Sequence, residues 1–253
     1  MQYRTLWAFA SILILAAAAA CGGSEAPAEA PAEPAAPAFD PATAGNVTGS
    51  IMLEGEPPAA EMIRMNSDPV CVKEATDSET NYYVVGEGGG LGNVFVYVKE
   101  GLQGSFPPAS DTVILDQQGC RYMPHVFGIQ VGQTLQVVNS DPTLHNIHAT
   151  PANNPEFNTG QPIQGMTFDR TFDNVEVMVP FKCDVHGWMN AYLGVLDHPF
   201  FAVTAPDGSF DISGLPPGDY VIEAWHEELG TQTHNVSVAE GGTAEMSLTF
   251  TVG

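Results

Sequence analysis

The sequence predicts an all-β protein, and three observations carry that reading. From residue 45 onward the chain is a series of short runs rich in Val, Ile, Thr and aromatic residues, many alternating apolar with polar. Gly, Pro, Asn and Asp bound these runs, and Pro206-Asp207-Gly208 and Pro217-Gly218-Asp219 are tight-turn sequences. No stretch keeps a long 3.6-residue apolar period; residues 61–77 have room for one short helix.

The predicted strands, in order, are 46–53, 93–99, 113–116, 126–131, 134–139, 175–183 and 190–196, then 201–204, 209–212, 220–225, 235–238 and 244–252. Sheets of such strands bury one face against another sheet, so the class is a β-sandwich or a pair of them. The chain has 253 residues, enough for two domains with real cores.

The first residues do not belong to a fold. Arg4 is followed by an apolar run from Leu6 to Ala20 that is short for a membrane span and ends in small residues, so residues 1–20 read as a signal peptide for export. Cys21 after Ala18-Ala19-Ala20 resembles a bacterial lipoprotein signal, which implies lipidation of Cys21. Gly22 lacks the acidic character that marks retention in the inner membrane, so the expectation is a periplasmic or cell-surface protein anchored to the outer membrane by lipid alone. Residues 21–44 are an Ala/Pro-rich linker that stays extended and buries no core.

With 7 Lys+Arg against 30 Asp+Glu the formal net charge is −23. That excludes nucleic acid as a natural partner. It serves solubility, and it also suits steering of a basic partner.

The chemistry concentrates in Cys183-Asp184-Val185-His186-Gly187-Trp188-Met189. Alternation along the preceding strand puts Val175, Val177, Val179, Phe181 and Cys183 on one inward face. A soft thiolate, an imidazole and a thioether converging after that strand suit copper. Zinc prefers cysteine pairs in structural sites, and a thioether is a poor ligand for it. Upstream lie Pro124-His125-Val126, Val131-Gly132-Gln133-Thr134-Leu135, Asn139-Ser140-Asp141 and His145-Asn146.

This series resembles the cupredoxin family over roughly residues 105–198, with the short amicyanin-like Cys-x-x-His-x-x-Met loop. The resemblance implies a Greek-key β-sandwich holding one type 1 copper ion on His145, Cys183, His186 and Met189. Asn146 is then the supporting residue, with its N–H toward the Cys183 sulfur and its side chain tying the two ligand loops. Gly187-Trp188 departs from the family loop, which often carries proline after the histidine. Trp188 reads equally as core packing or as an exposed patch for docking.

An exported protein sits where thiols tend to pair. With Cys21 an anchor and Cys183 a ligand, Cys71 and Cys120 are left as a disulfide. His125 and His148 are candidates for a second metal site if they meet; otherwise they are surface or hydrogen-bonded residues. His148 cannot share a metal with His145 if both lie on one strand, because three positions apart they face opposite sides. His198, His226 and His234 read as structural.

A second resemblance covers 200–253. The run Asp207-Gly208-Ser209-Phe210-Asp211-Ile212 and the turn Leu215-Pro216-Pro217-Gly218-Asp219-Tyr220 resemble a carboxypeptidase regulatory-like, transthyretin-type β-sandwich. Four strands are too few to close one, and 46–55 with 93–98 look like its opening strands. The expected organisation is therefore a cupredoxin-like unit, 102–199, inserted into or packed beside a sandwich made from 45–101 and 200–253.

The implied function is single-electron transfer to a redox partner such as a c-type cytochrome. A copper carrier or sensor using the same ligands, or an extracellular interaction module with structural copper, remains open. No enzyme activity is expected. The sequence has no zinc-peptidase motif and no serine nucleophile elbow, and it lacks the His-x-His motifs that multicopper oxidases carry.

Overall fold

A computed structural model describes residues 40–253. The expected signal peptide, Cys21 and all but the end of the expected linker lie outside the described residues. The first strands are β1 (Gly45–Glu54) and β2 (Phe95–Glu100), with a short helix α1 (Pro69–Glu74) between them. Nine strands follow: β3 (Val113–Gln118), β4 (Arg121–Met123), β5 (Val126–Gln130), β6 (Leu135–Asn139), β7 (His145–Ala149), β8 (Phe157–Gln161), β9 (Thr167–Arg170), β10 (Glu176–Lys182) and β11 (Asn190–Leu196). The chain continues through β12 (Phe201–Val203), β13 (Ser209–Leu215), β14 (Gly218–His226), β15 (Gly230–Val238) and β16 (Thr243–Thr251). Among the described residues no helix is long and apolar enough to cross a membrane.

The strands form two sandwiches. The outer one faces a sheet of order β13-β1-β16 against one of order β12-β2-β14-β15. Strands from before and after the inner unit share both sheets: β1 runs antiparallel to β13 and parallel to β16, and β2 pairs with β12 and β14. Alternation along these strands fills one core with Val47, Ile51, Phe210, Ile212, Ile222, Met246 and Phe250. The inner sandwich has sheets of order β5-β11-β10-β7-β8 and β4-β3-β6-β9, enclosing a separate core that includes Leu115, Ile129, Val137, Ile147, Phe172 and Leu193. The fold is thus all-β, with the inner sandwich inserted between the strands of the outer one.

Two features differ from the sequence reading. Residues 45–101 contribute only β1 and β2 to the outer sheets; between them, Ile63, Met65, Cys71 and Ala75 pack on the inner core. The Cys71–Cys120 disulfide fastens this segment there. Along β10 the alternation holds from Val179 onward. Upstream, the register shifts between Glu176 and Val179, so Val175 is exposed and Glu176 is turned in. The Glu176 carboxylate accepts hydrogen bonds from the Ala152 and Asn153 amides and from the Asn154 side chain, which explains a buried charge at a position expected to face out.

The two sandwiches meet through Phe95, Tyr97, Val126 and Leu196, with Phe201, Tyr192 and Trp225 around them. Glycines make this approach possible. A Cβ on Gly194 of β11 would lie 2.3 Å from the Phe95 ring, and one on Gly128 of β5 would lie 2.4 Å from the Phe201 ring. The side-chain-free backbone is the seat for both rings.

Candidate metal centre

The site forms at one end of the inner sandwich. Antiparallel pairing of β10 with β7 and β11 brings together the end of β10, the start of β7 and the start of β11. His145 opens β7, Cys183 follows β10, and the 183–189 loop returns into β11. The loop is tight: the Cys183 amide donates to the Met189 carbonyl at 3.1 Å and the Met189 amide to the His186 carbonyl at 2.9 Å. All four residues are buried, with exposures of 0% for His145, 2% for Cys183 and His186, and 1% for Met189.

The ligand atoms of His145, Cys183 and His186 lie within 4.8 Å of one another. The two histidines face each other through Nδ1, 2.9 Å apart. Each offers its other nitrogen to a carboxylate. His145 Nε2 is 2.9 Å from Asp141 Oδ2, and His186 Nε2 is 3.2 Å from Asp68 Oδ2. Both aspartates have pKa values lowered below the usual carboxylate range. Burial opposes this in each case and is outweighed by hydrogen bonds, from His145 and the Cys120 and Gly119 amides for Asp141, and from Thr143, the Val70 amide and His186 for Asp68.

This donor set has a chemical consequence. Carboxylates accept only, so each Nε2 carries a proton, and each Nδ1 is left facing the shared point, where a proton in the metal-free site or a metal ion can sit. Two nitrogens 2.9 Å apart there share a proton or jointly bind a cation. The third group supplies negative charge. Burial pushes the Cys183 thiol up, but hydrogen bonds from His145 and His186 and from the Asn146 and His186 amides bring it down to about 6. Cys183 is therefore a thiolate at neutral pH, the form that ligates metal. One thiolate, two imidazole nitrogens and a buried methionine at the end of the same loop are a soft donor set that fits copper.

Asn146 braces the arrangement. Its side-chain Oδ1 lies 3.2 Å from Cys183 Sγ and accepts from the Asp184 amide at 2.8 Å and the Val185 amide at 3.3 Å. Its Nδ2 donates to Asn158 on β8. Trp188 is half-buried: its indole donates to the Cys120 carbonyl at 3.0 Å and its ring centroid is 5.0 Å from that of His186.

His125 and His148 are not brought together. His125 sits between the Asn190 carbonyl and Glu227 of the outer sandwich. His148 is engaged by Asp184 on one nitrogen and Glu156 on the other. Each ring has its own partners, which is the hydrogen-bonded alternative for this pair.

Sequence reasoning missed Asp68 and Asp141 as partners of the histidines. Asp141 lay inside the Asn139-Ser140-Asp141 motif, four residues before His145. Asp68-Pro69 carried a helix-start signal, and Asp68 does cap α1 through the Val70 amide. Neither signal encodes a contact with His186.

A family profile described as polysaccharide lyase family 4, domain II, matches residues 173–246, less than a third of the chain. That stretch runs from β10 to β16, through parts of both sandwiches. No curated protein matches the sequence. Among solved structures, a Cu-containing nitrite reductase from Thermus scotoductus SA-01 is similar at 22% identity and TM-score 0.32, covering 41% of this chain and 26% of its own. This chain thus spans about a quarter of that protein. A Cu(I) form of an amicyanin variant is similar at 17% identity and TM-score 0.30, covering 40% of this chain and 97% of its own. A purple cupredoxin from Nitrosopumilus maritimus is similar at 24% identity and TM-score 0.29, over 33% of this chain and 97% of its own.

Proposed function

We propose that this protein is an exported, lipid-anchored electron-transfer protein with one type 1 copper ion held by His145, Cys183, His186 and Met189. One observation supports this above the others: a buried thiolate and two facing imidazole Nδ1 atoms share one point. Copper bound there supplies one-electron chemistry by cycling between Cu(II) and Cu(I).

The residues are suited to that task. His145 sits on a strand and Cys183 at the end of one, so the donors change little in position between oxidation states. The ligand end is closed, which favours keeping an ion over handing it on. The carrier or sensor reading requires ready release, and ligands at most 2% exposed disfavour it. We assign no substrate reaction to this centre. The outer sandwich, in our reading a carboxypeptidase regulatory-like module, serves as a mount. The net charge of −23 suits a basic redox partner such as a c-type cytochrome, reached from an outer-membrane tether at Cys21.

The test is a spectrum. The Cu(II)-loaded protein is expected to show an intense visible thiolate-to-copper band, absent in Cys183→Ser, and to cycle reversibly with a stable potential. A colourless Cu(II) form would sink the proposal, and rapid stripping of copper by a mild chelator would move the assignment to carriage.

A further inference from the structure

We infer that Asp68 and Asp141 are positioning residues that together hold both ligand histidines in the Nε2–H form, and that α1 exists in this chain to deliver Asp68 to His186. The inference rests on the copper reading above and assigns roles that the cupredoxin resemblance did not supply, to Asp68 outside its span and to Asp141 within it.

The geometry is the same on both sides. Each histidine turns Nδ1 toward the other and Nε2 toward a carboxylate oxygen. Each carboxylate is itself fixed. Asp141 accepts from the Gly119 and Cys120 amides at 2.8 and 2.7 Å, while its own amide donates to Asn139. Asp68 accepts from the Val70 amide through Oδ1 and from the Thr143 hydroxyl, at 2.6 Å, through Oδ2. A carboxylate so held cannot turn away from the imidazole, and a ligating histidine whose far N–H is bound has its ring plane and tautomer set.

Asp68 comes from far away in sequence. It lies 118 positions before His186, on a segment that belongs to neither sheet of the inner sandwich. Three contacts place it there: the Cys71–Cys120 disulfide, the approach of Cys71 Sγ to His186 Nε2 at 3.6 Å, and the Thr143 bond. The same segment covers the Nε2 edge of His186. α1 is thus a cap whose polar end is aimed at one metal ligand.

The substitution that isolates this role is Asp68→Asn. The amide oxygen still caps α1, but the amide nitrogen replaces Oδ2 and meets His186 Nε2–H donor to donor. Asp68→Ser keeps a helix cap and removes the carboxylate. The probe is copper alone, added to the full protein. For both variants we expect Cu(II) affinity to fall about 10- to 100-fold, the thiolate band to move and the reduction potential to rise, since a negative charge beside the ion is gone. In the Cu(I) form, 15N–1H correlation should show protonated Nε2 on both histidines of the parent, with faster solvent exchange at His186 in Asp68→Asn. Asp141→Asn should act on His145 in the same way. Unchanged affinity, band, potential and exchange in Asp68→Asn and Asp68→Ser would overturn the inference, as would a loss of affinity matched by global unfolding of the metal-free variants. A parent protein with no thiolate band would instead defeat the copper reading itself, so the two failures are distinguishable.

Discussion

Removing the Cys71–Cys120 disulfide tests how α1 is held. The bridge spans a sequence separation of 49. In the chain-entropy treatment, closing a loop of that length lowers the unfolded state's freedom by about 4 kcal/mol near room temperature. For a domain of this size each kcal/mol moves the melting temperature by about 2–4 °C. The double variant Cys71→Ala/Cys120→Ala is therefore expected to melt about 8–16 °C lower than the parent. Both cysteines are fully buried against the inner core, so the two lost sulfurs add a packing deficit in the same direction.

Scanning calorimetry on the metal-free proteins is the direct assay, because it avoids stabilisation by bound copper. A fall of less than about 3 °C would refute the reasoning, since it would mean that residues 61–80 are held by their other contacts. Those contacts are the Asp68 bonds to Thr143 and His186, the Arg121 bond to the Glu79 carbonyl and the packing of Ile63, Met65 and Ala75. Copper affinity measured on the same variant reports whether Asp68 still reaches His186 once its tether is cut.

Two further predictions concern the rest of the fold. Gly194→Ala is expected to destabilise by about 1–3 kcal/mol through overpacking against the fully buried Phe95. Gly160→Ala on β8, where a Cβ meets nothing within 4 Å, should be neutral, and equal urea midpoints for the two variants would contradict the seat described for Phe95. The buried His226 and His198 have pKa values lowered from 6.5, chiefly by burial. Their unfolded forms take up protons first as pH falls, so the stability they confer is present above about 6.5 and lost below it. His226→Phe, which removes a ring whose Nε2 has no partner and which faces Glu227 and His125, should flatten the stability curve below about pH 6.5; parallel curves for parent and variant would refute this.

The strands that alternation revealed are those with one apolar face, and their ends agree with the structure to within three residues, except that β15 begins five residues before the predicted run. The strands it missed have physical reasons to lack the pattern. β7 reads His-Asn-Ile-His-Ala because it carries a ligand and its brace. β8 and β9 are sheet edges whose residues are nearly all half-exposed or exposed, so their composition is polar. β4 is three residues long. Likewise, the ligand candidates were legible because three of them sit in one seven-residue loop and the fourth precedes Asn146. Asp68 was not, because its contact is made across 118 positions and depends on a disulfide that folds α1 back.

The same distinction explains what His125 does. As a sequence feature beside a metal motif it invited a ligand role. In the fold its Nδ1 lies 3.2 Å from the carbonyl of Asn190, the residue after Met189, and its other nitrogen meets Glu227 on the turn after β14. The ring therefore links the exit of the 183–189 loop to the outer sandwich. The loop's other flank is held by Trp188 on the Cys120 carbonyl and by Asp68 on His186. Two of these supports come from outside the inserted unit, Asp68 from the segment before it and Glu227 from after it. Insertion is geometrically simple here, because β2 and β12, the strands through which the chain enters and leaves, pair directly as Tyr97 with Phe201. The outer sandwich thus does more than carry the inner one. Together with the α1 segment on the other flank, it supplies rigidity that the loop, with Gly187 in place of a proline after the histidine, does not supply by itself.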